Sequence, residues 1–270
     1  MSVLHLDNVR KTYQKHVAVD DVSFKVPKGS IFGLLGPNGA GKTSIIRIIT
    51  TITRADSGTV YLNGEKLNRF HPTQIGYMPE ERGLYKKMKV GEHLMYLARL
   101  KGLSKKNAKE QINYWFDKFD IADWWNKKVE ELSKGMQQKI QFIATVVHQP
   151  KLLILDEPFS GLDPINTNLI KDEIRELQKN GASIIFSTHR MEQVEEICER
   201  IVLINQGKNV LEGEVKDIKN QFKENIYRIE YDGNLPSDLD LTSILVNKSP
   251  NEMTVKIANP TASNELLGTL

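Results

Sequence analysis

Apolar and polar residues alternate through the first thirty positions: Leu4 and Leu6, then Val17 and Val19, then Val22, Phe24 and Val26. Period-two alternation predicts short strands buried on one face. Pro27-Lys28-Gly29 reads as a turn, and Ile31 to Leu35 as a strand ahead of a glycine-rich loop. Thr43 to Thr50 reads as an apolar helix, and Gly58 to Gly64 as a further strand and turn. From about Val90 to Val129 the period becomes helical, with Leu94, Leu97 and Ala98 on one face and Ile112, Trp115, Phe116 and Phe119 on a second segment. Ser133 stands where a helix N-cap is expected. Residues 151–155 and 183–187 are apolar on both faces, which predicts central parallel strands covered by helices. Ile170, Ile174 and Leu177 mark an amphipathic helix between them. These elements predict an α/β core with a helical insertion.

The pattern changes after about residue 215. Tyr227, Ile229 and Tyr231 alternate with Arg228 and Glu230, and Met253, Val255 and Ile257 alternate again after Lys248-Ser249-Pro250-Asn251. A small β-rich appendix is expected over 216–270, beside a main domain over 1–215 whose helical part covers about 86–135. Glu265-Leu266-Leu267 reads as the start of a helix cut short at Leu270, as in a shortened chain.

Composition narrows the class. Charged residues make up 26% of the 270, and the net charge of +3 gives no large basic field, so no nucleic-acid partner is expected. The single cysteine, Cys198, cannot form an internal disulfide and fits a reducing compartment. No apolar run approaches the roughly 18 residues that span a bilayer, and the N-terminus lacks the pattern of a secretory signal. A soluble, cytoplasmic protein is expected, with any membrane role exercised through a partner.

Gly36-Pro37-Asn38-Gly39-Ala40-Gly41-Lys42-Thr43 matches the P-loop spacing, with a strand before it and a helix after it. Glycines there let backbone N–H groups turn toward phosphate oxygens, and the helix presents its positive end. Lys42 is placed to reach the β- and γ-phosphates, and the Thr43 hydroxyl to bind Mg²⁺. A chance glycine-rich turn is the bland alternative. Leu152-Leu153-Ile154-Leu155-Asp156-Glu157 ends a buried strand on two carboxylates. In P-loop enzymes an aspartate at this place holds Mg²⁺, and a second carboxylate can polarise the attacking water. Helix capping is the alternative for this pair.

With these two motifs in place, residues 1–215 resemble the ATPases of ABC transporters. Leu132-Ser133-Lys134-Gly135-Met136-Gln137-Gln138 resembles that family's signature, Pro158-Phe159-Ser160-Gly161-Leu162-Asp163 its D-loop, Ser187-Thr188-His189 its switch histidine and Ile75-Gly76-Tyr77-Met78-Pro79-Glu80 its Q-loop. Tyr13 sits where the family places an aromatic that stacks on adenine. Six motifs in family order are specific. The resemblance implies a P-loop NTPase (RecA-like) core with an antiparallel β subdomain and a helical subdomain.

It further implies that ATP is bound by Tyr13, Gly36, Asn38, Gly39, Gly41, Lys42, Thr43 and Ser44 with Mg²⁺ on Thr43 and Asp156. Glu157 is implied as general base, His189 as the contact to the γ-phosphate, and Glu80 as the sensor of Mg²⁺ and water. The family binds ATP between two head-to-tail subunits, so Ser133 and Gly135 would serve the partner's nucleotide, and Asp163 would order the interface. A transmembrane permease subunit, docking near residues 80–100, would hold the chain at the inner face of the membrane. Leu84, Tyr85 and Met88 would supply apolar contact there; Leu94 fits either that contact or the core. The chain departs from the family at Glu80, usually Gln, and at Lys134 and Met136. Pro79-Glu80-Glu81-Arg82-Gly83-Leu84-Tyr85 resembles bacterial sodium- and drug-exporting ATPases, which also carry a C-terminal appendix. A non-transport or regulatory ABC ATPase is the alternative; one P-loop and no room for long coiled coils weigh against its DNA-end and ribosome-acting forms.

Overall fold

The computed structural model describes residues 1–81, 83–223, 226–231, 244–249 and 251–256. The chain divides into two compact units, 1–215 and 216–270.

The first unit begins with two long antiparallel strands, β1 (Ser2–Tyr13) and β2 (His16–Pro27). They join β4 (Ser57–Leu62) and β5 (Glu65–Lys66) in a four-stranded sheet of order β2-β1-β4-β5. Asn8 and Asp21 adopt left-handed backbone near irregularities in the pairing, which lets these strands stay long while twisting. A second sheet contains β3 (Ile31–Leu35), β6 (Ile75–Met78), β7 (Leu152–Asp156), β8 (Ser183–Thr188), β9 (Arg200–Asn205) and β10 (Lys208–Glu214). Its order is β10-β9-β3-β8-β7-β6, parallel throughout except for the antiparallel edge strand β10. Every residue of β3, β7 and β8 is buried, as their two-sided apolar character requires.

Helix α1 (Lys42–Ile49) packs its isoleucines 45, 46, 48 and 49 into one core with Leu4, Leu6, Phe24, Phe32 and Ile154, so it joins the two sheets. Helices α2 (Val90–Leu100), α3 (Lys105–Lys118) and α4 (Lys134–Val146) form the helical part, held by edge-on contacts of Trp115 with Phe119 and Phe142 and of Phe116 with Trp125. Leu94 is fully buried there, so it serves the core and offers no surface for a partner. Helices α5 (Pro164–Lys179) and α6 (Met191–Ile197) follow β7 and β8, and α7 (Val215–Gln221) follows β10.

In the second unit β11 (Ile226–Glu230) and β12 (Leu245–Ser249) flank β13 (Glu252–Lys256), all antiparallel. Met253 and Val255 are buried under Tyr227, Ile229, Tyr231 and Ile244, following the alternation. Strand β12 has no buried face, which is why its sequence carries no alternation. Ile257, Pro250, Arg82 and the expected helix at Glu265-Leu266-Leu267 lie outside the described residues.

Strand β6 meets α4 at Gly76, where a Cβ would stand 2.4 Å from the Thr145 carbonyl oxygen. That neighbour is backbone and cannot swing away. Gly76→Ala is expected to destabilise the protein by about 1–3 kcal/mol through overpacking. Gly83→Ala, where a Cβ meets nothing within 4 Å, is the control. Denaturant unfolding of both variants checks this, and equal stability would remove the assigned role of Gly76.

Candidate nucleotide site

The parallel strands β3, β7 and β8 end at one level. In their register Leu35 faces Thr188 and Asp156 faces Ser187. The loop after β3 must turn sharply to enter α1. Gly41 does so with φ 111, and a Cβ there would lie 2.3 Å from the Ala18 carbonyl oxygen. Gly41 also caps α1 without any side chain, and the first turn of α1 holds no acidic residue. The amides at this helix end are therefore open to an anion.

A cleft of about 270 Å³ lies above these strand ends. Tyr13, Asn38, Gly39, Gly41, Lys42, Thr43, Ser44, Glu80, Asp156, Glu157 and His189 line it, together with His16 and Ala18, which the sequence reading did not single out. Gly36 lies beneath, its carbonyl accepting from Lys42 Nζ at 2.6 Å. Ser133, Gly135 and Asp163 do not line the cleft. Ser133 caps α4, accepting from the Met136 amide at 3.3 Å, and is exposed. Asp163 caps α5, and the Asn166 N–H holds its carboxylate below the ordinary pKa.

Glu157 has left-handed backbone, φ 48, held by its N–H donating to the Ser187 carbonyl at 2.9 Å. Its carboxylate accepts from the His189 amide at 2.9 Å, from His189 Nδ1 at 2.6 Å and from Thr188 Oγ1 at 3.1 Å. Because the carboxylate can only accept, His189 carries a proton on Nδ1, and the half-exposed ring turns Nε2 elsewhere. Asp156 accepts from Ser187 Oγ at 2.7 Å, yet burial raises its pKa, with Glu80 and Glu157 adding to the rise. Burial lowers the Lys42 ammonium, and the charges of Asp156, Glu157 and Glu80 oppose that shift. Three carboxylates around one ammonium favour an added cation. Among the described residues no group of three His, Cys, Asp or Glu could hold a metal. The hydroxyl of Thr43 and the carboxylate of Asp156 are hard oxygen donors, and they fit Mg²⁺, which takes only one or two protein ligands beside phosphate oxygens and water.

Two glutamines lie on the buried side of α4; sequence reading placed Gln138 in the signature stretch without a role and did not single out Gln141. Gln138 Nε2 donates to the Pro158 carbonyl at 2.9 Å, and Gln141 Nε2 to the Pro79 carbonyl at 2.7 Å. Their place among the apolar Ile140, Phe142 and Ile143 marks them as buried but names no partner for either.

A family model described as ABC transporter matches residues 19–160, just over half of the chain. The chain belongs to the ABC transporter family. It is 46% identical over 269 residues to YhaQ of Bacillus subtilis (strain 168), an uncharacterized ABC transporter ATP-binding protein, covering 99% of this chain and 90% of that one. It is 34% identical over 220 residues to the Nod factor export ATP-binding protein I of Cupriavidus metallidurans, covering 80% of this chain and 73% of that one. A solved ATP-binding subunit of an ABC transporter superposes with a TM-score of 0.77 at 30% identity, over 82% of this chain and 93% of that one. The chain is thus an ABC transporter ATP-binding subunit, an ATPase with the P-loop cassette fold.

The ionised Asp156 carries a cost in the nucleotide-free subunit. Its folded pKa is raised above the unfolded value, so its contribution to stability is full below the unfolded pKa and lost as pH rises through the folded one. Asp156→Asn, which can still accept from Ser187, is expected to raise the melting temperature by about 2–4 °C at pH 7.5. The gain should shrink as pH falls toward the carboxylate range. Thermal unfolding across pH checks this; a lower melting temperature at pH 7.5 would contradict the assigned electrostatics.

Proposed function

We propose that this subunit hydrolyses ATP by in-line attack of water on the γ-phosphate, with Glu157 as the general base. The observation that carries the reading is the triple hold on the Glu157 carboxylate by Thr188 Oγ1, His189 N and His189 Nδ1 at the mouth of the phosphate-loop cleft. These bonds fix one carboxylate oxygen geometry, which general-base catalysis requires. His189 Nε2 then faces the transferring phosphoryl group. Tyr13, 39% exposed, offers its ring to adenine. Lys42 leaves its loop carbonyls for phosphate oxygens, while Gly36, Asn38, Gly39, Gly41 and Ser44 shape the anion cradle. Thr43 and Asp156 would hold Mg²⁺, which would neutralise charge between the β- and γ-phosphates.

Ser133 and Gly135 lie outside the cleft of their own chain, so we assign them to the nucleotide of a second cassette packed head to tail. The exposed N-terminus of α4 supplies the anion site for that role. Asp163 orders the same interface. ATP favours the paired state by binding it better than the separated one. Residues 1–215 act as the cassette and 216–270 as an appendix to it. No helix among the described residues is long and apolar enough to cross a membrane. A permease subunit therefore holds the cassette at the inner face of the membrane, meeting Leu84, Tyr85 and Met88, with Tyr85 52% exposed. Glu80 links that contact to the cleft. Export is the proposed direction, supported by the likeness to a Nod factor export protein.

Glu157→Gln is expected to lose more than about 99% of phosphate release while becoming dimeric with ATP and Mg²⁺ and monomeric without them. Light scattering after size exclusion, beside a phosphate assay on the unaltered chain, reads both. Hydrolysis at the unaltered rate would end the assignment of Glu157 as base.

A further inference from the structure

Glu80 lines the nucleotide cleft, and its charge acts on both Asp156 and Lys42. The sheet does not hold it there. The ladder of β6 ends at the pair of Met78 with Leu155, two residues before Glu80. Pro79 has no N–H to donate. Among the described residues, no backbone–backbone hydrogen bond outside the strands and helices reaches Pro79 or Glu80. A segment with so few bonds keeps one position only where a side chain ties it.

Helix α4 supplies that side chain. It lies hard against β6, since a Cβ on Gly76 would stand 2.4 Å from the Thr145 carbonyl oxygen. One turn earlier on α4, Gln141 Nε2 donates to the Pro79 carbonyl at 2.7 Å. Gln141 is 4% exposed, and its Oε1 is buried with no hydrogen-bond partner among the described residues. A buried acceptor left unmet costs stability, and an apolar residue of similar size would remove that cost. Packing therefore gives no reason for an amide at this position. Its one use is the bond to the Pro79 carbonyl, which belongs to the peptide that joins Pro79 to Glu80.

We propose that Gln141 is a positioning residue for ATP hydrolysis: it fixes the Pro79–Glu80 peptide, and with it the Glu80 carboxylate, relative to Asp156 and Lys42. Gln141 does not line the nucleotide cleft, so it acts through Glu80 alone. The proposal rests on Glu80 acting at the nucleotide, a reading that the experiment tests separately.

The experiment is a double-mutant cycle on steady-state ATP hydrolysis by the full chain, with Gln141→Met, Glu80→Ala and the two together. Methionine fills the space and donates nothing. Gln141→Met is expected to lower kcat by about three- to tenfold, the worth of one hydrogen bond. The KM for ATP should stay within about twofold, and the melting temperature within about 3 °C of the unaltered chain. Gln141→Asn keeps the amide on a shorter stem and should show the same loss in kcat. Thr145→Val is the control. It removes another buried hydrogen bond of α4, from Thr145 Oγ1 to the Gln141 carbonyl at 2.8 Å, and leaves the bond to Pro79 in place. Its kcat should stay within about twofold. In the Glu80→Ala background, Gln141→Met is expected to cost nothing further. A residue that merely supports the fold would lower the rate by the same factor in both backgrounds. If Glu80→Ala hydrolyses ATP like the unaltered chain, the reading of Glu80 fails and the proposal fails with it. If Glu80→Ala is impaired and the two losses multiply, Glu80 keeps its role and Gln141 does not act through it. An unchanged kcat in Gln141→Met, or an equal loss in Thr145→Val, also overturns the proposal.

Discussion

The parallel register of β3, β8 and β7 is the constraint on which the rest of this cassette depends. It sets Leu34, Ser187 and Asp156 in one row, with Leu35 and Thr188 paired one residue on, so the phosphate loop, His189 and Glu157 all leave the sheet on the same edge. In a parallel sheet both faces are covered, and functional groups can emerge only where strands stop. Slipping β8 by one residue would turn Ser187 away from Asp156 and Thr188 away from Glu157. These strands are buried along their length and polar only toward their ends, so a slip is costly because it would carry a polar end residue in among the apolar ones. Stability of the core and alignment of the site therefore rest on the same hydrogen-bond ladder.

The site itself works against stability. Asp156 is ionisable yet buried, Lys42 loses part of its hydration, and Glu157 adopts a backbone conformation that side chains other than glycine rarely take. Such strain is of the order of 1–3 kcal/mol per residue and persists only where neighbours over-determine it. Here the Ser187 carbonyl fixes the Glu157 N–H, and the Ser187 hydroxyl fixes Asp156. One serine thus holds the Asp156 carboxylate and the Glu157 backbone from the neighbouring strand. The cluster is arranged for a charge that arrives with the substrate.

Much of this was legible in the chain. The phosphate loop and the carboxylate strand are local patterns, readable because their chemistry needs fixed spacing. Buried strands 152–156 and 183–188 announced themselves by apolar runs. Leu94 was ambiguous because one apolar residue on a helix suits a core or a contact equally, and only the packing of α2 decides it. Strand β12 was not legible, since its pairing with β13 is made through backbone and its side chains are all exposed. The contacts of Gln138 and Gln141 were not legible either. Each takes its meaning from a backbone carbonyl on a distant element, and sequence carries no sign of which carbonyl will lie within reach.

Helix α4 shows how such contacts organise the whole. Its N-terminus displays Ser133 to the outside. One turn on, Gln138 holds the carbonyl of Pro158, the residue after Glu157. Gln141 holds the carbonyl of Pro79, the residue before Glu80. An α-helix is stiff over this length, about 12 Å for eight residues. A push on the exposed end therefore reaches both the loop of Glu157 and the loop of Glu80 through two short hydrogen bonds. Amide side chains suit this task because their bonds do not depend on pH and because they add no charge to a region already crowded with carboxylates. A charged residue at either position would have brought a desolvation cost into the core. An apolar one would have left the Pro158 or Pro79 carbonyl unmet. The choice of glutamine follows from that double exclusion, and it makes α4 the physical link between its exposed N-terminus, proposed to meet a second cassette, and the loops that line the nucleotide cleft.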